Sequence, residues 1–341
     1  MSKIIQGDVA TIKESLSEFA DKAQGKTFLV SGCAGFLGSW FCDVLNSFGA
    51  KIIGVDNLSS SSETNISHLK KGNFQLIKGD ICNFRTDKKI DYVVHMACIA
   101  SPPLYQKYPI ETLDSSVLGI RNMLDIARKN NAKGFLFTST SETYGDAQVI
   151  PTPEHYWGNV NPTGPRSIYD EGKRVAETYS MAYFQKYHVP VRIARIFNTY
   201  GPRLDVKSTS QYGRVIVKFI DQALNNAPIS VYGDGSQTRS FCYVTDLIEG
   251  LVRLLLTPNI DGEIVNLGND GEITILELAE FITKLTDSKS QITFHPLPKD
   301  DPKRRRPDIT KAKKLLGWAP KISLEQGITK TIAWYQTTKE K

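Results

Sequence analysis

One stretch of the sequence decides the fold, Thr27-Phe-Leu-Val-Ser-Gly-Cys-Ala-Gly-Phe-Leu-Gly38. An apolar run that ends in a glycine-rich turn and continues into a segment of helical length indicates a buried strand followed by a helix. Apolar runs of the same kind recur along the chain. We expect strands at Thr27–Ser31, Lys51–Val55, Phe74–Ile77, Asp91–His95, Gly134–Thr138 and Val191–Ile196.

Segments of helical length separate these runs, and the alternation of strand and helix predicts a parallel sheet covered by helices on both faces. The predicted helices between the strands include Leu37–Phe48, Leu113–Lys129 and Lys173–Tyr187. After Asn198 the alternation loosens and loop signals gather. A further strand at Glu263–Leu267 and helices at Ile275–Thr286 and near Leu324–Gln336 follow there.

The predicted fold class is therefore α/β, a Rossmann-type doubly wound parallel sheet with a smaller, interleaved α/β substrate lobe. We assign residues 26–198 and about 240–268 to the sheet domain, and residues 199–239 and about 269–341 to the smaller lobe that closes over a ligand. Residues 1–25 have apolar positions at helical spacing and form an N-terminal helical extension, for which we expect a packed helix or a dimer contact.

Composition and charge narrow the function classes. The apolar content of 40% and charged content of 23% are those of a soluble globular protein, and no apolar run is long enough to span a membrane. The first residues lack the pattern of a secretory signal. The five cysteines are scattered without a CxxC pair, so we expect reduced thiols in a cytoplasmic protein. The histidines are equally dispersed, and we expect no structural metal.

The net charge of +6 has two interpretations, a polyanion partner or a small anionic ligand. The densest basic cluster, Lys303–Arg306, is flanked by Asp300, Asp301 and Asp308, and no basic and aromatic stripe accompanies it. These acids dilute the cluster for polyanion binding. We therefore favour a small anionic ligand or a solvated face over nucleic acid.

The glycine-rich turn predicts a cofactor site. Glycine there lets backbone amides approach a pyrophosphate at the N-terminus of the following helix. The GxxGxxG spacing alone also fits an ordinary turn, but an acid follows at the end of the next strand, where it accepts from the adenosine ribose hydroxyls and repels the extra phosphate of NADP. We predict NAD. The predicted cofactor-binding residues of these loops are Gly32, Gly35, Phe36, Leu37, Gly38, Asp56, Asn57, Asp80 and Ile81, the last two beside the adenine, and Tyr169 and Lys173 complete the predicted cofactor site.

The chemical site is predicted where the fifth strand ends, in Thr138–Gly145, because ligands of open parallel sheets bind at the carboxyl ends of strands. Downstream, Tyr169 and Lys173 are four residues apart and share one face of a helix. A neighbouring cation lowers the pKa of a phenol, so Tyr169 is a candidate general base on an alcohol that Thr140 would hold. Such a pair alone is usually a solvated face; the combination with the glycine-rich turn is specific.

These residues resemble the extended short-chain dehydrogenase/reductase family, the NAD-dependent epimerases and dehydratases, over essentially the whole chain after residue 25. Within that family the similarity is greatest to the decarboxylases that act on UDP-glucuronate. The resemblance rests on long strings: Thr138–Gly145, Tyr156–Pro162, Tyr169–Glu177, Ala194–Arg203, Gln237–Phe241 and Lys303–Trp318.

The resemblance implies a reaction. Dehydratases of the family typically carry Asp-Glu after the catalytic threonine, whereas this chain has Ser141-Glu142, as the decarboxylases do. The implied activity is redox-neutral decarboxylation of UDP-glucuronate to UDP-xylose through a 4-keto intermediate, with NAD tightly bound and recycled. Glu142, or a water that it orients, would return a proton to carbon 5. Arg305 would hold the carboxylate or the sugar by two hydrogen bonds.

The resemblance also implies the substrate contacts, which are Tyr105, Asn198, Arg203, Arg214, Tyr232, Gln237, Arg239 and Arg305. One departure is the segment Leu204–Tyr212, about four residues longer than in the family, which leaves nucleotide and sugar specificity open. Relatives dimerise through a four-helix bundle that includes the helix of Tyr169, so a homodimer is implied. Val175, Ala176, Tyr179 and Tyr183 could form its apolar face, or could belong to the core of one chain.

Two other functions fit the same residues. One is a 4-epimerase, or a 4-keto-forming oxidoreductase or dehydratase, on a related nucleotide sugar. The other is a non-catalytic NAD-binding regulator, since a fold does not fix a function. The set Thr140, Tyr169 and Lys173 argues against the regulator, because a sensor has no use for a base.

Overall fold

The structure is a computed structural model that describes residues 1–70, 72–204 and 214–339. The helices of these ranges are α1 Lys3–Ser15, α2 Ala20–Ala23, α3 Phe36–Ser47, α4 Pro102–Lys107, α5 Pro109–Asp114, α6 Ile120–Asn130, α7 Ser167–Tyr187, α8 Val215–Leu224, α9 Val244–Leu256, α10 Ile275–Leu285, α11 Thr310–Leu316 and α12 Leu324–Lys339. The strands are β1 Thr27–Ser31, β2 Lys51–Asp56, β3 Phe74–Lys78, β4 Tyr92–His95, β5 Gly134–Thr140, β6 Val191–Ile196, β7 Thr199–Tyr200, β8 Ile229–Tyr232, β9 Thr238–Ser240, β10 Cys242–Tyr243, β11 Ile264–Leu267, β12 Glu272–Thr274, β13 Ile292–His295 and β14 Arg304–Arg305.

A seven-stranded parallel sheet forms the centre, in the order β11-β6-β5-β4-β1-β2-β3. The predicted doubly wound sheet is confirmed, and the predicted strands agree with the observed ones to within two residues at either end. Every residue of β5 is buried, as expected for a central strand covered on both faces. The carboxyl ends of β1, β4, β5 and β6 meet at one edge of the sheet, where the glycine-rich turn also lies.

Helix α7 begins at Ser167, six residues before the predicted start at Lys173, and therefore carries both Tyr169 and Lys173. The predicted helix Leu113–Lys129 is not continuous. It consists of the end of α5, a π-helical turn at Ser115–Gly119, and α6.

The N-terminal extension is part of the core. Helix α1 buries Ile5, Val9 and Ile12 against α3 and α9. Its Asp8 accepts hydrogen bonds from the Tyr243 hydroxyl (2.8 Å) and from Lys330 Nζ (2.5 Å). The prediction of a packed helix is confirmed, although the helical stretch is interrupted after α1.

Three small sheets come mainly from the later part of the chain, β7 with β10, β8 with β13, and β12 with β9 and β14. Strand β11 lies between β10 and β12 along the chain, yet it pairs with β6 at the edge of the central sheet. This is the interleaving that the sequence predicts. The division into two domains with the stated boundaries stays a prediction. Within the described ranges, each helix is either too short or too polar to cross a lipid bilayer.

Candidate active site

A large cavity lies at the carboxyl edge of the central sheet and is bounded on its far side by α8, β8, β9 and the segment around Arg305. Most of the predicted site residues line it. They are Gly32, Gly35, Phe36, Leu37, Gly38, Tyr105, Thr140, Ser141, Glu142, Tyr169, Lys173, Asn198, Arg214, Tyr232, Gln237, Arg239 and Arg305. The structure therefore brings together side chains that are far apart in the sequence.

The glycine-rich turn is compact enough to require glycine. Gly32 has φ +70°, a left-handed conformation that side chains disfavour. A Cβ on Gly38 would lie 2.0 Å from the Gly32 carbonyl oxygen. The turn leads directly into the N-terminus of α3, where backbone amides and the helix dipole suit a pyrophosphate. These residues fit the adenosine diphosphate part of NAD.

Asp56 ends β2 beside this turn and is buried. Its Oδ2 accepts a hydrogen bond from the Ala34 amide (2.9 Å), and its Oδ1 accepts from the Leu58 amide (2.9 Å) and the Ser61 hydroxyl (2.7 Å). The carboxylate thus ties two loops together. Since Oδ2 has a single partner among the described residues, it retains a lone pair for a ribose hydroxyl.

Four predicted cofactor residues do not line the cavity, namely Asp56, Asn57, Asp80 and Ile81. Asn57 and Asp80 are exposed and accept hydrogen bonds from nearby backbone amides. The Ile81 side chain lies in the apolar core, and its predicted position beside the adenine stays a prediction. Tertiary packing turns this side chain inward, and only its backbone is left for a ligand.

Tyr169 and Lys173 are buried on the same face of α7. Lys173 Nζ donates to the Thr138 carbonyl (2.8 Å) and lies 5.7 Å from the Tyr169 ring centroid. The Tyr105 ring stacks on Tyr169 with centroids 5.5 Å apart and planes 8° apart. These contacts fix the phenol beside the end of β5, where Thr140 lies.

The predicted lowering of the Tyr169 pKa by Lys173 is wrong for the protein groups alone. Burial raises the pKa of the phenol, and the neighbouring Cys98, Glu142 and Asp170 add to this, while a hydrogen bond with Thr140 lowers it. Burial also lowers the pKa of Lys173. The sequence shows the spacing of the two side chains but not their desolvation.

Glu142 is the centre of an ionic network. Its Oε2 accepts hydrogen bonds from Arg166 Nη2 (2.5 Å) and from Arg305 Nη2 (2.6 Å). Burial opposes ionisation of this carboxyl, but Arg166 and Arg305 outweigh it, and the pKa of Glu142 is lowered. The network continues to Asp301, which lies 3.6 Å from Arg166 Nη1 and 2.7 Å from Arg239 Nη2.

The far end of the cavity combines aromatic, amide and cationic groups. Gln237 donates to the Tyr232 carbonyl (2.7 Å), and Lys218 Nζ lies 4.9 Å from the Tyr232 ring centroid. Arg214 directly precedes α8. An aromatic ring, an amide and cations suit a base and a diphosphate.

One predicted substrate residue is not at the cavity. Arg203 is buried, forms an ion pair with Asp43 (2.7 Å) and covers the Trp40 ring. It does not line the cavity and anchors its loop to α3, so the predicted substrate contact stays a prediction. Of the unusual segment Leu204–Tyr212, Leu204 lines the cavity and the rest lies outside the described residues.

Comparison with protein families shows to which family this chain belongs. Residues 29–331 match the family described as GDP-mannose 4,6 dehydratase. The chain belongs to this family. The resemblance to NAD-dependent epimerases and dehydratases is thereby confirmed, and the cofactor is NAD, as in family structures solved with it.

Two individual relatives of the chain are both named UDP-glucuronic acid decarboxylases. The chain is 49% identical over 311 residues to "UDP-glucuronic acid decarboxylase 2" of Arabidopsis thaliana, covering 90% of this chain and 67% of the relative. It is 47% identical over 319 residues to "UDP-glucuronic acid decarboxylase 1" of Danio rerio, covering 93% and 74%. The chain thus spans about two thirds to three quarters of the length of these relatives.

Solved structures share the whole fold. An epimerase from Methanothermobacter thermautotrophicus is 31% identical with a TM-score of 0.85, covering 95% of this chain and 96% of that one. A UDP-glucuronic acid 4-epimerase from Bacillus cereus, solved with UDP-glucuronic acid and NAD, is 28% identical with a TM-score of 0.82, covering 92% and 99%.

The sequence analysis does not single out three charged residues at or beside the cavity, Arg166, Asp170 and Asp301. Spacing offers a signal for Arg166, because it lies three residues before Tyr169, directly before the start of α7. Asp170 follows one helical turn after Arg166. Asp301 gave no such signal, since it comes from a loop remote in sequence.

Replacing Gly38 with alanine is expected to weaken NAD binding at least tenfold, because the new Cβ would lie 2.0 Å from the Gly32 carbonyl oxygen and force α3 away from the turn. Titration calorimetry with NAD checks this. The matched control is Gly7→Ala in α1, where a Cβ meets nothing within 4 Å. Unchanged NAD affinity in Gly38→Ala would contradict the assignment of the turn.

Proposed function

We propose that this protein is a lyase that decarboxylates UDP-glucuronate to UDP-xylose with NAD and without net oxidation. The observation that carries the proposal is the Glu142 carboxylate bound by both Arg166 and Arg305 at the end of β5, beside Tyr169. Two guanidiniums in a buried cavity suit a sugar that carries a carboxylate. The decarboxylases among the relatives support the same substrate.

The cofactor fits the near side of the cavity. The backbone of Gly32, Gly35 and Gly38 would hold the pyrophosphate, with Asp56 at the ribose, and Tyr169 and Lys173 beside the nicotinamide end. NAD, when bound, supplies a hydride acceptor whose ring is positively charged. Burial raises the pKa of Tyr169 and so disfavours the phenolate that a base requires. A cation close to the phenol acts in the opposite direction and favours the phenolate.

The protein groups then act in order. Tyr169 takes the proton of the sugar 4-hydroxyl, which Thr140 holds by a hydrogen bond, as hydride leaves carbon 4. The resulting ketone is β to the carboxylate on carbon 5, so the electrons of the breaking carbon–carbon bond pass into an enolate as carbon dioxide leaves. Protonation at carbon 5 and return of the hydride to carbon 4 complete the cycle.

Glu142 is a poor candidate for the acid that protonates carbon 5, because its two arginines lower its pKa. Of the two roles expected for it, orienting a water fits the structure better than donating its own proton. Glu142 also holds Arg305 and Arg166 close together, and we assign these guanidiniums to the substrate carboxylate. Ser141 is buried beside them.

A product assay tests the function. The purified protein incubated with UDP-glucuronate should release carbon dioxide and UDP-xylose in equal amounts, with no net accumulation of NADH. A nucleotide sugar that retains its carboxyl group would identify a 4-epimerase instead, and a released ketone would identify a 4-keto-forming enzyme. NAD binding without any turnover of nucleotide-uronic acids would instead support a non-catalytic NAD-binding regulator.

We also propose that the protein is a cytoplasmic homodimer. Its five cysteines are free thiols, which suits a reducing compartment. Ala176 is fully buried in the core of one chain, but two apolar residues are exposed, Val175 on α7 and Leu118 on the π-helical turn Ser115–Gly119, which contacts α7. The α7 face therefore keeps apolar surface for a second copy, and light scattering should give a mass twice that of one chain.

A further inference from the structure

Six charged side chains meet where β5, the start of α7, β9 and the segment around Arg305 come together. They are Glu142, Asp170, Asp301, Arg166, Arg239 and Arg305. With all six ionised, the three guanidiniums and three carboxylates cancel. A substrate that brings another carboxylate into this cluster would then leave an unbalanced buried negative charge, which is costly.

The geometry distinguishes one carboxyl from the other two. Glu142 accepts two short hydrogen bonds from guanidiniums, and Asp301 accepts one from Arg239 (2.7 Å). Asp170 lies 4.0 Å from Arg166 Nε, outside hydrogen-bonding distance. Its buried Oδ1 has no hydrogen-bond partner in the described part of the chain. Asp170 is therefore the carboxyl that is least stabilised as an anion.

We propose that Asp170 carries a proton in the working enzyme, and that this proton is what lets the cluster accept the carboxylate of its substrate. With Asp170 neutral, the cluster has a charge of +1, which one carboxylate neutralises. Asp170 is thus a specificity-determining residue that acts through the charge of the pocket. The inference rests on the proposed function, because the carboxylate is that of UDP-glucuronate.

The groups around Asp170 also favour its neutral form. Burial, together with the charge of Glu142, raises the pKa of Asp170 to about 8 against the opposing effect of Arg166 and Arg305. The other titratable or charged groups that face it are Glu171 and Tyr169 on its own helix, Tyr105 from α4, and Asp301 through Arg166. A raised pKa means that the neutral form exists below about pH 8 and is lost above it.

The experiment compares two ligands that differ in the carboxyl group, UDP-glucuronate and UDP-xylose. Binding to the NAD-loaded protein is measured near pH 7 and pH 9 in a Tyr169→Phe background, which stops turnover. Between these values the affinity for UDP-glucuronate relative to that for UDP-xylose should fall about tenfold, as expected for one proton with a pKa of about 8. Taking the ratio of the two affinities cancels the effect of titrations common to both ligands, such as that of the uracil.

Two further variants in the same background make the test specific. With Asp170→Asn, which is neutral at both pH values, the ratio should stay constant. The matched control Glu171→Gln removes a half-buried carboxylate next in sequence that pairs with Arg174 (3.6 Å), and the ratio should still fall between pH 7 and pH 9. UDP-xylose binding shows that each variant has folded.

A constant ratio in the parent, or an equal fall in Asp170→Asn, would overturn the proposal. Such a result is distinguishable from failure of the proposed function. These measurements need no turnover, whereas the function is tested separately by whether the unmodified protein releases carbon dioxide from UDP-glucuronate.

Discussion

Replacing Tyr169 with phenylalanine is expected to lower kcat about 10³-fold, within the range that a lost general base gives. The phenylalanine keeps the ring that stacks on Tyr105 and removes only the hydroxyl beside Thr140. NAD affinity should stay within about threefold of its original value, because the glycine-rich turn is untouched. Turnover of UDP-glucuronate and NAD binding measured on the same preparations check both parts.

The matched control for this change is Tyr183→Phe, which removes a phenol hydroxyl from the same helix. The Tyr183 hydroxyl donates to Asp125 (3.0 Å), away from the cavity, so kcat should change less than about twofold. If Tyr169→Phe retained most of its turnover, Tyr169 could not be the base, and another group in the cavity would have to accept the alcohol proton.

Replacing Glu142 with glutamine is expected to lower both activity and stability. The change leaves Arg166 and Arg305 buried without their shared carboxylate, so the free energy of unfolding should fall by about 3 kcal/mol. The two guanidiniums should also separate, and a misplacement of about 1 Å lowers kcat/KM about 10²-fold. Urea denaturation and steady-state kinetics with UDP-glucuronate measure the two effects.

Glu263→Gln is the control for the loss of an ion pair as such. Glu263 pairs with Lys311 (2.6 Å) on the surface, and exposed pairs contribute at most about 1 kcal/mol. Equal destabilisation by the two changes would mean that Glu142 is no more important than a surface carboxylate. Full activity in Glu142→Gln would remove the basis for the carboxylate site.

The sheet could be predicted from the sequence because its strands are buried runs with turn residues between them. Strand β6, predicted as Val191–Ile196, was found with those bounds. The structure begins the helix of Tyr169 six residues before the predicted start, since apolar periodicity is weak at its first turn, where Asp170 lies. Polar residues that face a cavity look like a solvated face in a sequence.

The charge network could not be predicted, because its parts are distant in the chain. Arg166 is 24 residues and Arg305 163 residues from Glu142. The resemblance supplied Arg305, and spacing supplied Lys173, but neither gives the contacts that decide a pKa. Arg203 shows a related difficulty, since the sequence does not reveal that this arginine pairs with Asp43 of the scaffold.

Asp56 has a consequence for efforts to change the preferred cofactor. Its carboxylate accepts hydrogen bonds from the Ala34 amide in the glycine-rich turn and from the Leu58 amide and Ser61 hydroxyl in the loop after β2. We predict that Asp56 also repels a 2′-phosphate, in which case cofactor selectivity and the shape of the dinucleotide cradle depend on the same two oxygens. A redesign for NADP that simply deleted this acid would loosen the cradle as it removed the repulsion, so it would have to rebuild three hydrogen bonds before an added arginine could be useful.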